Sequence, residues 1–383
     1  MLNLTLFEMK KFLHKKKNLI IIAFFIIIMA VWVGLNASIE NQLKSSEIPS
    51  IEDRMESIKN ALKGIDNEIE KLPNNMDLVN IKKDFIEEIQ VLTKEKIAYT
   101  NKDFSTYLNC KLKLDKKLLS QIQSGKVISG KNIEELRNDI EINSILLQKH
   151  IEPIYENTSM KAYNFMKLAL GSHLPLIIVI LIIMLSADII SKEFECNTYK
   201  LLFTQPINKN SILFSKIISL ILMINIVIFS ILGIFFLILG VKNGFGSPNY
   251  PTKFLLNGTI QYIDVAQYIG TELLLLLMIS IFTCIFSTFV SMLCKNTGTS
   301  ISISIIITVG LYTLVNKGLL NSIAHLIPVT YIDISDILRG SRALAFKNNS
   351  ITTYSSFIIL FISTIFVVVL SAIKFDKRLT PKK

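Results

Sequence analysis

Four histidines and four cysteines are the residues best suited to nucleophilic or metal chemistry in this 383-residue chain. His14, His150, His173 and His325 stand far apart, and no H-E-x-x-H occurs. Cys110, Cys196, Cys284 and Cys294 show no C-x-x-C spacing, so neither a zinc site nor a redox pair is implied. No G-x-S-x-G and no nucleotide-binding glycine fingerprint is present. One stretch, Gly125 to Lys131, has the G-x-x-x-x-G-K frame of a phosphate loop. Asn132 follows it where a Ser or Thr should hold magnesium, and an amphipathic helical pattern precedes it where a buried strand should. The residues therefore predict no catalytic centre, no metal and no cofactor bound by this chain.

The elements around those residues are apolar blocks. About half of the chain is hydrophobic (51%), more than a soluble domain carries. A bilayer core needs roughly 20 apolar residues in a helix. Six blocks qualify: Leu19–Leu35, Leu174–Ile190, Ile217–Val241, Leu273–Leu293, Thr299–Val315 and Phe357–Ile373. Blocks this uniform mean helices rather than barrel strands. The first is longer than a signal peptide's apolar core and lacks a small-x-small cleavage site, so it reads as an anchor.

Charge sets the expected orientation. Six spans place both termini on one side. That side carries fifteen flanking basic residues, among them Lys10, Lys11, Lys15, Lys16 and Lys17, against six on the other. The positive-inside rule puts it in the cytoplasm. The net charge of +11 lies in these flanks, since residues 39–170 hold 20 basic and 21 acidic side chains. It therefore suits anionic lipid head groups, and no nucleic acid is expected. Leu2, Leu6, Met9 and Leu13 recur at helical spacing among lysines, which predicts an amphipathic entry helix over 1–17, followed by span one at 18–37.

Residues 38–165 read as a helical extracellular domain. Ile51, Met55, Ile58, Leu62, Ile65, Ile69 and Leu72 alternate steps of four and three, a heptad seam. Three further apolar runs begin near Leu78, Leu108 and Asn132. Four antiparallel helices would return the chain to the membrane. The predicted fold class is thus an all-α membrane protein, with six transmembrane helices and a coiled-coil-like insert between the first two.

The cytoplasmic loop after span two, Ala187 to Lys216, holds the most informative pattern. Glu193 and Glu195 lie on a short helix, followed by Thr198, Leu201, Leu202, Pro206, Lys209 and Lys216. Such loop carboxylates are usually a solvated helix face. The pattern, however, resembles the coupling region of ABC-2 type permeases: an acid, Gly-Thr, a Leu-Leu pair, Pro, a basic residue, then Ser-Lys. Asn197 replaces the usual Gly, and Asn tolerates left-handed backbone. Lys209 replaces the usual Arg. The six-span layout and basic entry helix fit the same family over residues 1–37 and 171–383. The resemblance implies a permease subunit, with coupling loop 188–211 docking on a separate cytoplasmic ATPase that supplies ATP and magnesium. It also implies a second permease copy, or a homologous permease, as the other half of the pathway. Peptide antibiotics, ions and lipidic compounds are the substrate classes it suggests.

Two outer features complete the candidates. Glu272, at the start of span four, is an intramembrane acid that either lines a pathway or reaches toward head groups. The segment 317–354 between spans five and six carries Tyr331, Asp333, Asp336 and Arg339, and reads as a hairpin near the pathway's exit. Asp336 and Arg339 are spaced to pair with each other. Two alternatives to an exporter remain: a mechanotransmission subunit acting on an external partner, and a membrane sensor or scaffold.

Overall fold

The computed structural model describes residues 2–72, 75–125, 132–155, 157–171, 173–198, 209–256 and 259–379. It is about 81% helical, and six helices are long and apolar enough to cross a membrane. The chain divides into two compact units.

The first unit comprises Met1–Val33, Lys161–Pro248 and Thr252–Lys383. Its elements begin with α1 (Leu2–His14) and the start of α2 (Lys16–Lys71). After the insert come α6 (Ala162–Gly171), α7 (Leu174–Ser186), α8 (Ser191–Glu195) and α9 (Lys209–Asn243). Then follow α10 (Val265–Leu293), α11 (Thr297–Asn316), α12 (Ile334–Leu338), α13 (Ser341–Ala345) and α14 (Thr353–Leu379). Five of the predicted spans fall within α2, α9, α10, α11 and α14; the second, Leu174–Ile190, begins with α7 and runs past its end at Ser186.

Burial separates these spans into two kinds. The most apolar window of the segment Leu174–Glu195, which α7 begins, is 78% buried and that of α10 56%, whereas α2, α9, α11 and α14 bury only 22–28% of theirs. The two interior helices therefore form the core, with α10 packed against α6, α7, α9, α11 and α14. The outer helices leave Ile20, Ile226, Ile306 and Phe366 exposed, which suits lipid.

Small hydroxyl residues let the interior helices approach closely. Ser186 of α7 bonds to Ser287 of α10, and Ser280 donates to Asn225 of α9 at 2.6 Å. The Ser291 hydroxyl accepts from the Ser191 backbone N–H at 2.9 Å. Ser186, Ser191, Ser280 and Ser287 also each donate to a backbone carbonyl of the preceding turn.

The short strands β1 (Pro251–Leu256) and β2 (Thr259–Asp264) pair before α10, where the apolar-block pattern predicts no strand. The sequence between them is Asn257-Gly258, a strong hairpin signal.

The second unit is Gly34–Met160 with Asn249–Pro251. Its helices are the remainder of α2, α3 (Met76–Thr100), α4 (Phe104–Gln123) and α5 (Ile133–Gln148). Side chains at the expected breaks cap the next helix. Asn75 accepts from the Asp77 and Leu78 amides, Asp103 from Thr106, and Asn132 from Glu134. Ile51 and Ile58 of the heptad seam pack with Val91, Leu92, Cys110 and Leu114. Arg54–Glu88 at 2.7 Å and Lys82–Asp66 at 2.7 Å flank that seam between α2 and α3. These pairs are exposed and set register more than stability. A partly buried polar cluster accompanies the apolar core: Glu47 accepts from Tyr107 Oη at 2.7 Å and from Tyr155 Oη at 3.0 Å.

Candidate functional site

The segment after α7 gathers five elements of the first unit around α8. The helix is a single turn, ended by Asn197 in the left-handed region at φ 57°. Its base is held by hydroxyls of the interior bundle: Ser291 of α10 accepts from the Ile190 and Ser191 amides, and Ser300 of α11 donates to the Ala187 carbonyl at 2.6 Å. Glu195 Oε2 accepts from the Thr297 amide at 2.9 Å. Thr297 opens α11, so Glu195 caps that helix from outside it and meets the positive end of its dipole.

Glu193 does different work. Its carboxylate lies 2.6 Å from the Lys216 ammonium of α9 and 3.7 Å from Lys11 of α1. Glu8 of α1 lies 2.6 Å from the same Lys216. Lys216 is 1% exposed, with Glu8 at 8% and Glu193 at 12%. One buried cation is thus shared by two carboxylates from two other elements, through short charge-assisted bonds. The local sequence explains the geometry. On α1, Glu8 and Phe12 share one buried face, packed on α9, while Leu2, Leu6 and Leu13 stay exposed on the lipid-suited face.

A second ionic knot lies beside the first. Asp188, 3% exposed, takes Lys17 at 2.7 Å and Lys15 at 3.5 Å. Lys17 also donates to the Met184 carbonyl at 2.8 Å. Burial lowers the Lys15 ammonium's pKa, with Asp188 opposing. The start of α2 is therefore bound to the end of α7.

Thr198 donates to the Glu193 carbonyl at 3.4 Å. Leu201, Leu202 and Pro206 lie outside the described residues, as does the side chain of Lys209, whose backbone opens α9. The phosphate-loop-like stretch 126–131 also lies outside them. Among the described residues, no group of three or more His, Cys, Asp or Glu side chains is placed to hold a metal.

The outer candidates do not form one site. Glu272 is 0% exposed, enclosed by protein, and this excludes the head-group alternative for it. Lys167 of α6 and Arg339 beyond α12 are its electrostatic neighbours, and Ser335 adjoins it while bonded to Tyr268 Oη at 2.6 Å. Asp333 belongs to a separate cluster, held by Arg342 at 2.8 Å and Tyr312 Oη at 2.7 Å. Tyr331 is fully buried and donates to the His325 carbonyl at 2.6 Å, which fixes the turn rather than lining an opening. Asp336 is exposed and accepts from Ser341 Oγ at 3.1 Å, whereas Arg339 turns toward Tyr268 and Glu272. The i, i+3 spacing predicts a local pair; the tertiary acid on α10 competes for the Arg.

A family profile described as "ABC-2 family transporter protein" matches residues 2–378, nearly the whole chain. The chain belongs to the ABC-2 transporter family. No curated protein and no solved structure matches it. Membership makes it a multi-pass membrane component of an ABC transporter, and the six apolar helices agree. For this ABC-2 transporter, sequence reasoning singled out Glu193, Glu195 and Lys216 but missed Glu8, Asp188 and Lys167 as partners. A lysine at 216, followed by no further charge along α9 until Lys242, was the available signal.

Proposed function

We propose that this ABC-2 transporter chain is the permease subunit of an exporter, driven by a separate cytoplasmic ATPase that docks on loop 188–211. The observation that carries the reading is the placement of α8, a five-residue helix bonded to α9, α10 and α11 at once. A force applied to such an element reaches three spans without passing through a flexible link. The basic flanks support cytoplasmic termini and an external helical insert. The interior packing of α7 and α10 leaves exposed spans for a second permease copy and for lipid.

Two results test this. The purified subunit should show no magnesium-dependent ATP turnover, because no usable phosphate loop occurs in its sequence; clear turnover by the pure chain refutes the assignment. With its ATPase in inverted vesicles, the complex should move substrate only with ATP, which also separates export from mechanotransmission. In that system Glu193→Ala/Glu195→Ala should insert normally but lose most ATP-coupled movement. Losing the external cap of α11 alone costs about 0.5–2 kcal/mol. Unchanged transport, complex yield and ATPase rate would mean that these carboxylates are merely a solvated face.

A further inference from the structure

We infer that the helical insert carries a binding site for a soluble primary amine, built from Glu47, Tyr99, Tyr107 and Tyr155 with Glu95 behind them, and that Lys111 is its built-in occupant. Such a site is independent of the permease role proposed above. Four segments of the second unit supply the walls: Glu47 comes from α2, Tyr99 from α3 and Tyr107 from α4, while Tyr155 follows α5. Glu47 Oε1 accepts from Tyr107 Oη at 2.7 Å, and Oε2 from Tyr155 Oη at 3.0 Å. Tyr99 Oη lies 3.3 Å from Tyr155 Oη, and its ring centroid 5.4 Å from that of Tyr107. Burial, more than any neighbour, raises the Tyr107 and Tyr155 phenols, so both stay protonated and donate. Each Glu47 oxygen thus accepts one phenol, although a carboxylate offers about four acceptor positions. Phenol rings gathered around a carboxylate are the surroundings that an ammonium group favours.

Lys111 shows how such a group sits there. One turn beyond Tyr107 on α4, its ammonium donates to Tyr107 Oη at 3.1 Å and stands 5.3 Å from that ring's centroid. It lies 4.0 Å from Glu47 Oε1. The hold is loose, because that distance is the limit of an ion pair and the Lys111 side chain is 36% exposed. Glu95 on α3 supplies the need for a further cation. It is 6% exposed and makes no hydrogen bond or ion pair among the described residues. Its charged neighbours are Lys111 and Asp115 on α4, and Arg54 and Glu47 on α2. Arg54 is already engaged by Glu88 at 2.7 Å. Glu47 and Glu95 therefore look to the same Lys111. Burial raises the Glu95 carboxyl to about 7, so above that pH an ionised acid stands there without a partner of its own. A buried charge left so is costly, and an entering ammonium relieves it. The position selects a free amine over a lipid head group. Glu47 lies twelve residues past Leu35, the end of the first apolar block, which is about 18 Å along one continuous helix. Head groups reach only about 5–8 Å beyond the hydrocarbon.

The test titrates 1,5-diaminopentane into the purified full chain in phosphatidylcholine nanodiscs, by calorimetry at fixed ionic strength. The amine is charged throughout the range used. Saturable binding is expected at pH 8 and should weaken about tenfold at pH 5.5, where Glu95 is protonated. Glu95→Gln should weaken binding at pH 8 by about the same factor and flatten the pH profile. Lys111→Met removes the internal competitor from a part-exposed position, and should tighten binding at least fivefold. A purely structural Lys111 predicts no such gain, so unchanged or weaker binding in this variant overturns the inference. It also fails if Glu95→Gln binds like wild type, or if neither wild type nor Lys111→Met binds at millimolar amine. The uncharged 1,5-pentanediol, with the same stem, should not bind; equal binding would mean that the cage does not read the ammonium. Phosphatidylethanolamine nanodiscs should leave the affinity unchanged. If they abolish diaminopentane binding, a lipid amine fills the cage and the soluble ligand is refuted.

Discussion

Lys216→Met is expected to be the most damaging single substitution at the end of the bundle that carries α1 and α8. It leaves Glu8 and Glu193 facing each other without their shared cation, both almost buried. Breaking a buried ion pair by removing one partner costs about 3–5 kcal/mol, because the remaining charge is uncompensated. Here two acids are orphaned, so the upper part of that range applies. Lys11 recovers little, being 3.7 Å from Glu193 and 42% exposed. The check is thermal unfolding of the detergent-purified chain, together with ATP-coupled transport. The same argument predicts rescue: Glu8→Gln/Glu193→Gln/Lys216→Met should regain most of the lost stability, since a neutral cluster of similar volume leaves no buried charge. It should not regain transport if the ionic link itself transmits force. A triple variant as unstable as Lys216→Met would mean that packing, not charge, holds α1 to α9.

Raising the pH from 5 to 8 is expected to loosen the helical insert through Glu95. This residue lies on α3 beside Val91 and Leu92, 6% exposed. Burial raises its carboxyl to about 7; Lys111 and Arg54 pull it down, while Glu47 and Asp115 push it up. An acid whose folded pKa exceeds its unfolded value holds extra protons only when folded. Stability is then greatest below the unfolded value and falls as the pH climbs from about 4.5 to about 7, with little change above. Over pH 5 to 8 the loss is about 2–3 kcal/mol. Cys110 provides the readout, since it is buried in the same core. Its labelling rate, corrected for thiolate fraction, should report opening that increases on the order of 50-fold over this range. Glu95→Gln should abolish that dependence and protect Cys110 at pH 8. Equal pH profiles for the two proteins would assign the effect to another group.

Much of the architecture was legible in the sequence because its periods are strong. The six apolar blocks needed no tertiary information, and the heptad steps from Ile51 marked the face that packs on α3. Asn197 was readable as a left-handed position, and φ 57° agrees. What escaped has a common cause. Glu8 and Lys216 are 208 residues apart, and no local pattern says that an acid on an amphipathic helix will meet a lysine in a span. Glu272 was open to either a pathway or a head-group reading because span four was started at its apolar run. The helix begins earlier, at Val265, and α6 and α12 close over it. The β-hairpin was signalled by Asn257-Gly258, but hydropathy blocks do not register such short pairings.

The hydroxyls between α7, α9 and α10 have a mechanical consequence. Ser186, Ser191, Ser280 and Ser287 each keep a bond to a carbonyl of the preceding turn. If the Ser186–Ser287 contact parts, each serine still has a backbone carbonyl to donate to and neither hydroxyl is stranded where water is scarce. Such a surface behaves like a lubricated bearing. It holds the helices at close range by contact, yet offers little friction to sliding along their axes. The interior of the bundle is therefore where axial slip should be cheapest, while the ionic knots at the end that carries α1 and α8 act as the clamps that decide which helices slip together.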